Sequence, residues 1–282
     1  MSTLPSLKDL TYEQKYEAFK KVQAETNIPG VRLELVTEKY YDDAIIFMRD
    51  NFVLKEPICT ALDLKWSDML EAIWREACKE SLSLMFVDDK TNEFIAMRST
   101  KIAYKDENLD ESMLQMLSLN DAEESTQQNG DETTQSTSDN PYKDEPLDIM
   151  SMLPSQELKY AFEFTKQYDD KANFFDHFGV TEAFHFYGLA VSENYKRKGY
   201  AEKIVRASIS MIRHLGLDPV YIKGEASSNY SRRIYDKIGM EELCDQKYRS
   251  WTAYDGTQPI QNTGVHESVT VYGYRVKQNG GD

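Results

Sequence analysis

Residues 184–193 read FHFYGLAVSE, and no other stretch limits the possible folds of this chain so strongly. The run is apolar at nearly every position rather than at alternate ones, the pattern of a strand covered on both faces and therefore central in its sheet. The residues after it extend the unit: YAEKIVRASISMIRHLG is a long helix closed by Gly216, PVYIKGEAS is the next strand, and YSRRIYDKIG is a shorter helix ending at Gly239. Upstream, residues 31–36 (VRLELV) read as a strand, and residues 38–52 place Tyr41, Ala44, Ile45, Met48 and Phe52 on one helical face. LDLKWSDMLEAIWREACKE gives a second amphipathic helix, capped by Ser67, with Leu70, Ile73, Trp74 and Ala77 inward. The strands SLSLMFVDD and EFIAMRSTKIAY come next, joined by a turn at residues 89–92. PSQELKYAFEFTKQY is helical, with Leu158, Ala161, Phe162 and Thr165 on one side, and HESVTVYGYRV alternates as a last strand. This order predicts a mixed α/β sheet in a single domain.

Charge divides the chain. Residues 105–148 hold 13 Asp and Glu against 2 Lys, which is -11 of the formal -15 and leaves the remainder near balance. Residues 120–141 contain no aromatic or β-branched aliphatic side chain, so they cannot bury enough apolar area to offset their ordering entropy. The expected organisation is an N-terminal extension (1–30), a domain over 31–276 interrupted by a disordered acidic insertion (106–148), and a tail (277–282). Outside Lys196, Arg197 and Lys198 no basic stripe emerges, which argues against nucleic acid as a partner. No stretch approaches the roughly 18 apolar residues of a membrane helix, and the N-terminus lacks a signal-peptide pattern. Cys59, Cys78 and Cys244 are odd in number and lack a Cys-x-x-Cys pair, which suggests neither a disulfide framework nor a zinc site. A soluble, cytoplasmic, monomeric protein is the expectation.

The loop between the central strand and the long helix raises a chemical question. Leu189, Ala190 and Val191 lead into Lys196, Arg197, Lys198, Gly199, Tyr200 and Ala201. A glycine-containing loop that opens a helix offers free amides and the positive end of the helix dipole, a cradle for phosphate oxygens. A Lys–Arg run also suits a solvated surface, and spacing alone does not choose between the two.

The block LAVSENYKRKGYAEKIV, followed by EASSNYSRRIYDKIGMEEL, resembles the acetyl-CoA-binding core of the GNAT acetyltransferase superfamily, whose loop reads Arg/Gln-x-x-Gly-x-Gly/Ala. Lys196-x-x-Gly199-x-Ala201 matches it, with Lys196 departing from the usual first residue. Within the superfamily the chain is similar to the insect-type arylalkylamine N-acetyltransferases: RDNFVLKEPICTAL resembles their Phe-x-x-Asp-Glu-Pro-Leu segment, and SSNYS their Ser-Ser-x-Tyr-Ser segment. The similarity covers about residues 31–104 and 154–276. Two positions depart from it: Lys55 stands where an acid is usual, and EFIAMRSTKIAY lacks a glycine common after this strand.

The resemblance implies a GNAT acyl-CoA N-acyltransferase fold and direct acetyl transfer from acetyl-CoA to the primary amine of a small arylalkylamine, without a metal. Polyamines such as agmatine, or a longer acyl donor, are the alternatives, and a non-catalytic CoA- or partner-binding module is the reading of another class. The resemblance makes Glu56 the general base, although a Glu before Pro57 also suits a plain helix start. For the proton donor to the thiolate it points to Ser227 and Ser231, which equally suit a helix cap and a first turn. Tyr235 is the third candidate, a phenol whose pKa of about 10 is better matched to a thiolate than an alcohol is. His266 corresponds to a histidine that would line the acceptor pocket; His177, His185 and His214 read as structural, with no metal spacing among the four.

Overall fold

The structure, a computed structural model, describes residues 6–106 and 153–278. Apart from Asp106, the expected acidic insertion therefore lies outside the described residues. Seven strands form one sheet there: β1 (Val31–Leu35), β2 (Leu84–Asp88), β3 (Phe94–Tyr104), β4 (Glu182–Val191), β5 (Tyr221–Ala226), β6 (Glu241–Lys247) and β7 (Ser268–Arg275), in the order β1-β2-β3-β4-β5-β7-β6. Only β4 and β5 run parallel; every other neighbouring pair is antiparallel. The apolar run that dominates the sequence is β4, the fourth of seven strands, with Ala183, Phe184, Phe186 and Ala190 at or below 1% exposed.

Helices cover both faces. On one, α1 (Tyr12–Glu25) and α7 (Tyr200–His214) lie against a core that includes Phe19, Phe86, Phe184, Phe186, Ile204 and Ile222, with α8 (Asn229–Ile238) beside them. On the other, α2 (Tyr41–Asn51) and α4 (Asp68–Lys79) bury Met48 and Trp74 against Met85, Met97 and Ala190. The short α3 (Pro57–Ala61) lies between α2 and α4 in the chain, and α5 (Gln156–Ala172) and α6 (Phe174–Phe178) precede β4. Helix α5 packs Phe164 and Tyr168 against Tyr248, Trp251 and Val271.

Local chemistry explains several boundaries. The Ser67 and Ser155 hydroxyls accept from the amides of Leu70 and Leu158, caps worth about 1 kcal/mol each. Residues read as an N-terminal extension contribute α1, which inserts Ala18, Phe19 and Val22 into the core, while Ser6 and the Leu7 amide bind Glu182 at the start of β4. Strand β6 had no counterpart in the sequence reading. Its segment, EELCDQK, is a half-exposed edge strand rich in charge, without the alternation that marks a buried strand.

Candidate active site

Strands β4 and β5 pair only at Phe184–Ile222, His185–Lys223 and Phe186–Gly224, yet β4 continues to Val191 and β5 to Ala226. The cause lies on the other side of β4. There Thr100 of β3 faces Phe186 and Ser99 faces Gly188, so Tyr187 is an extra residue and the strand bulges. A bulge bends and twists its strand, and here it turns β4 away from β5. The fork that opens leaves the β5-facing edge from Gly188 through Leu189, Ala190 and Val191 without a partner strand among the described residues, the kind of edge that accepts an extended, amide-bearing chain.

At the open end of the fork the chain makes a single helical turn over Glu193–Tyr195 and then enters α7. Arg197 and Gly199 are both left-handed, at φ 61° and 81°, and Gly199 is the N-cap. It offers no side chain to the helix, and among the described residues the amides of residues 199–202 make no backbone hydrogen bond. A 15-residue helix thus presents its positive end and its free N–H groups beside the fork, an arrangement suited to phosphate oxygens. Lys196 Nζ lies 2.7 Å from Glu193, which Lys55 also approaches at 3.7 Å, and Lys198 Nζ donates to the Asn194 carbonyl at 2.9 Å. Tyr200 packs edge-on against Phe86 and Tyr195.

A cavity of about 650 Å³ opens on the α2, α4 and α5 side of the sheet. Phe52, Trp74, Phe162 and Tyr187 give it aromatic walls, and the face read from the α5 periodicity (Leu158, Ala161, Phe162 and Thr165) lines it. Glu56 projects into it as the N-cap of α3. Its Oε2 accepts from the amides of Ile58 at 2.7 Å and Cys59 at 2.9 Å, which fixes the carboxylate, while Oε1 has no partner in hydrogen-bond geometry among the described residues. Burial pushes the Glu56 pKa up, and the amides together with the Ser227 hydroxyl pull it only part of the way back.

The cavity also contains a buried charge network. His185 Nε2 lies 2.6 Å from Glu225 Oε2; Lys223 Nζ lies 2.6 Å from Asp169 Oδ2 and 3.5 Å from Glu225 Oε1. Burial alone would raise the Glu225 pKa, but His185 and Lys223 bring it down to about 2. Burial holds His185 below its ordinary value despite the neighbouring carboxylate. At neutral pH the pair is therefore a neutral imidazole whose Nε2–H donates to a carboxylate.

The residues singled out in the sequence fall in three places. Glu56 and Ser227 line the same cavity. Ser228 caps α8 and Ser231 completes a capping box with it; the Ser231 hydroxyl donates to the Ser228 carbonyl at 3.0 Å. His266 belongs to the same helix start and is not among the cavity-lining residues: its Nδ1 accepts from the Asn229 amide at 3.1 Å and its ring meets Tyr230 edge-on. Tyr235 is fully buried on the opposite face of the sheet, beneath Gly224. His185, read as structural, lines the cavity with Tyr187, Lys223 and Glu225, which the sequence reading missed along with Arg98. For Arg98, Lys223 and Glu225 the one signal was a charge inside an otherwise strand-like run, AMRST and YIKGEAS.

The chain is similar in fold to known proteins. The family model described as FR47-like protein matches residues 181–250, from β4 through β6. No curated protein sequence matches the chain. Among solved structures, arylalkylamine N-acetyltransferase 2 from Aedes aegypti is 20% identical with a TM-score of 0.69, over 88% of this chain and 99% of that one. A mosquito arylalkylamine N-acetyltransferase like 5b is 12% identical with a TM-score of 0.68, over 87% and 99%. The Drosophila melanogaster polyamine N-acetyltransferase that forms N-acetylagmatine is 12% identical with a TM-score of 0.63, over the same shares. The fold is that of the GNAT acyltransferases, as the sequence resemblance implies, and it is similar over nearly the whole of these insect enzymes.

Proposed function

We propose that the protein is an N-acetyltransferase that moves acetyl from acetyl-CoA to the primary amine of a small arylalkylamine. One observation carries this reading: the cavity that holds Glu56 is also lined by Tyr187, Glu225 and Ser227, which lie just beyond the last β4–β5 pair. A base and the open fork therefore meet in one space. The residues fit the donor: the amides at the start of α7 suit its pyrophosphate, and the free edge of β4 suits its pantetheine amides.

Glu56 takes the proton from the incoming ammonium, directly or through a water, and the freed amine attacks the thioester carbon at the fork. Its raised pKa makes it a stronger base than an ordinary carboxylate. Asp169 and Glu225 together exceed the one positive charge of Lys223 between them, which suits a cationic acceptor, while Phe52, Trp74, Phe162 and Tyr187 supply faces for an aryl ring. That lining favours arylalkylamines over agmatine and other polyamines.

The test is thiol release from acetyl-CoA with tyramine, dopamine, tryptamine, agmatine and putrescine as acceptors. Turnover highest with the aryl amines supports the reading; turnover confined to agmatine or putrescine replaces the acceptor class. Acetyl-CoA binding without turnover on any amine replaces the enzyme with a binding module.

A further inference from the structure

Arg98 lies in the middle of β3, opposite Leu189 of β4, and is only 1% exposed. Its guanidinium carbon stands 4.3 Å from the centroid of the Phe186 ring and 5.8 Å from that of Tyr235. Among the described residues its Nε and Nη2 have no acceptor, and the buried Tyr235 hydroxyl has no partner in hydrogen-bond geometry. A cation sealed in the interior with no carboxylate in ion-pair contact, Glu225 acting on it only from farther off, is strongly unfavourable, and groups kept in that state cluster at functional sites. Their location is specific. A Cβ added to Gly224 would lie 3.2 Å from the Tyr235 oxygen, and Gly224 is the residue β5 pairs with Phe186 at the last step before the strands part. The phenol and the guanidinium thus converge beneath the apex of the fork, on the sheet face opposite Glu56.

We infer that Arg98 is a positioning residue for acyl transfer: its guanidinium, set against Phe186 and Tyr235 under the β4–β5 fork, holds the Tyr235 hydroxyl as proton donor to the departing thiolate. The inference rests on the acetyltransferase reading above. In the step it describes, the C–S bond breaks with its electron pair going to sulfur, and the Tyr235 proton passes to that sulfur. Arg98 then offsets the phenolate until solvent returns a proton on product release. Burial raises the pKa of Tyr235 and Arg98 counters it, the direction an acid for a thiolate requires; Glu225 acts against Arg98, and the Tyr272 ring packs edge-on on the remaining side. Neither serine competes for this place, since Ser231 is engaged in the α8 capping box and Ser227 faces the cavity with Glu56.

Steady-state kinetics with acetyl-CoA and tyramine test this on Arg98→Met, Arg98→Lys, Tyr235→Phe and the double variant Arg98→Met/Tyr235→Phe, with thermal melts to confirm folding. Arg98→Met and Tyr235→Phe are each expected to lower kcat by about 10²-fold, the usual scale for general acid catalysis, with the KM for tyramine little changed. Arg98→Lys recovers part of the loss, and the double variant is no slower than the worse single one, because the two side chains act as a unit. A folded Arg98→Met protein at wild-type kcat overturns the inference, as do losses that multiply in the double variant. Should Arg98→Met fail to fold, Tyr235→Phe decides: wild-type kcat in that variant overturns the inference, and a selective kcat loss shared with Arg98→Lys upholds it. A wild-type protein that acetylates no amine removes the enzymatic reading and this inference together, whereas acetylation indifferent to Arg98 removes only the inference.

Discussion

His185 Nε2 lies 2.6 Å from Glu225 Oε2 across the seam of β4 and β5, one residue before those strands part. The contact joins neighbouring parallel strands through side chains on the cavity face, and Lys223 ties the same carboxylate to Asp169 on α5. One network therefore fixes the seam, the cavity and the helix that covers it.

Acid should weaken this network by a calculable route. The folded pKa of Glu225 is depressed to about 2, so its stabilisation is complete above the ordinary carboxylate range and is lost as pH falls from about 4.5 toward 2, a change on the order of 3 kcal/mol. His185, whose folded pKa is lowered by burial, acts in the same direction, since the unfolded chain takes up its proton first. Urea midpoints measured from pH 7 to 3 should fall more steeply for the wild type than for Glu225→Gln. Parallel curves would mean that the pair does not titrate as described.

Glu56→Gln keeps an oxygen that can accept from Ile58 and Cys59, so the fold should survive while the base is lost. Thiol release at neutral pH should fall by about 10²-fold or more. In the wild type, kcat/KM should decline on the acid side at a pH above the ordinary carboxylate range, because burial raises the pKa and the base works only when ionised. Activity within a few-fold of wild type in Glu56→Gln would assign the base elsewhere.

Gly199→Ala isolates the donor loop. A Cβ there meets nothing within 4 Å, so the cost is purely conformational, about 1 kcal/mol for a residue held at φ 81°. Calorimetric titration should show weaker acetyl-CoA binding, with the KM for the amine nearly unchanged. A selective rise in the amine KM would contradict the division into loop and cavity.

Gly188→Ala addresses the wall between cavity and fork. Its Cβ would fall 2.5 Å from Trp74 Cη2 and 2.7 Å from Met48 Cε, so the indole must move. Thermal melts should show a loss of about 1–3 kcal/mol, the usual cost of overpacking, together with a higher KM for aryl acceptors. An unchanged melting point would show that Trp74 is free to shift.

Much of this was legible in the chain itself. The unbroken apolar run placed β4 at the centre of the sheet, Ser67 marked the start of α4, and Gly216 and Gly239 marked the ends of α7 and α8, because burial on two faces, capping and left-handed closure are local requirements. Residues Lys196 to Ala201 stood out as a strand-to-helix loop for the same reason. Edge strand β6 and helix α1 did not, since partners distant in sequence stabilise them.

The sequence by itself determined the order of the strands and longer helices apart from β6 and α1, the basic loop before α7 and the presence of Glu56 beside Pro57. Only the tertiary structure decided that β4 bulges at Tyr187 and leaves β5 after Phe186, that Glu56 and Ser227 meet in one cavity, and that Arg98 and Tyr235 lie sealed beneath the fork. The physical reason is that strand register and the burial of a charge depend on residues up to a hundred or more positions away. A lysine, glutamate or arginine within a strand shows its role only when the fold has removed it from water and set its partners around it.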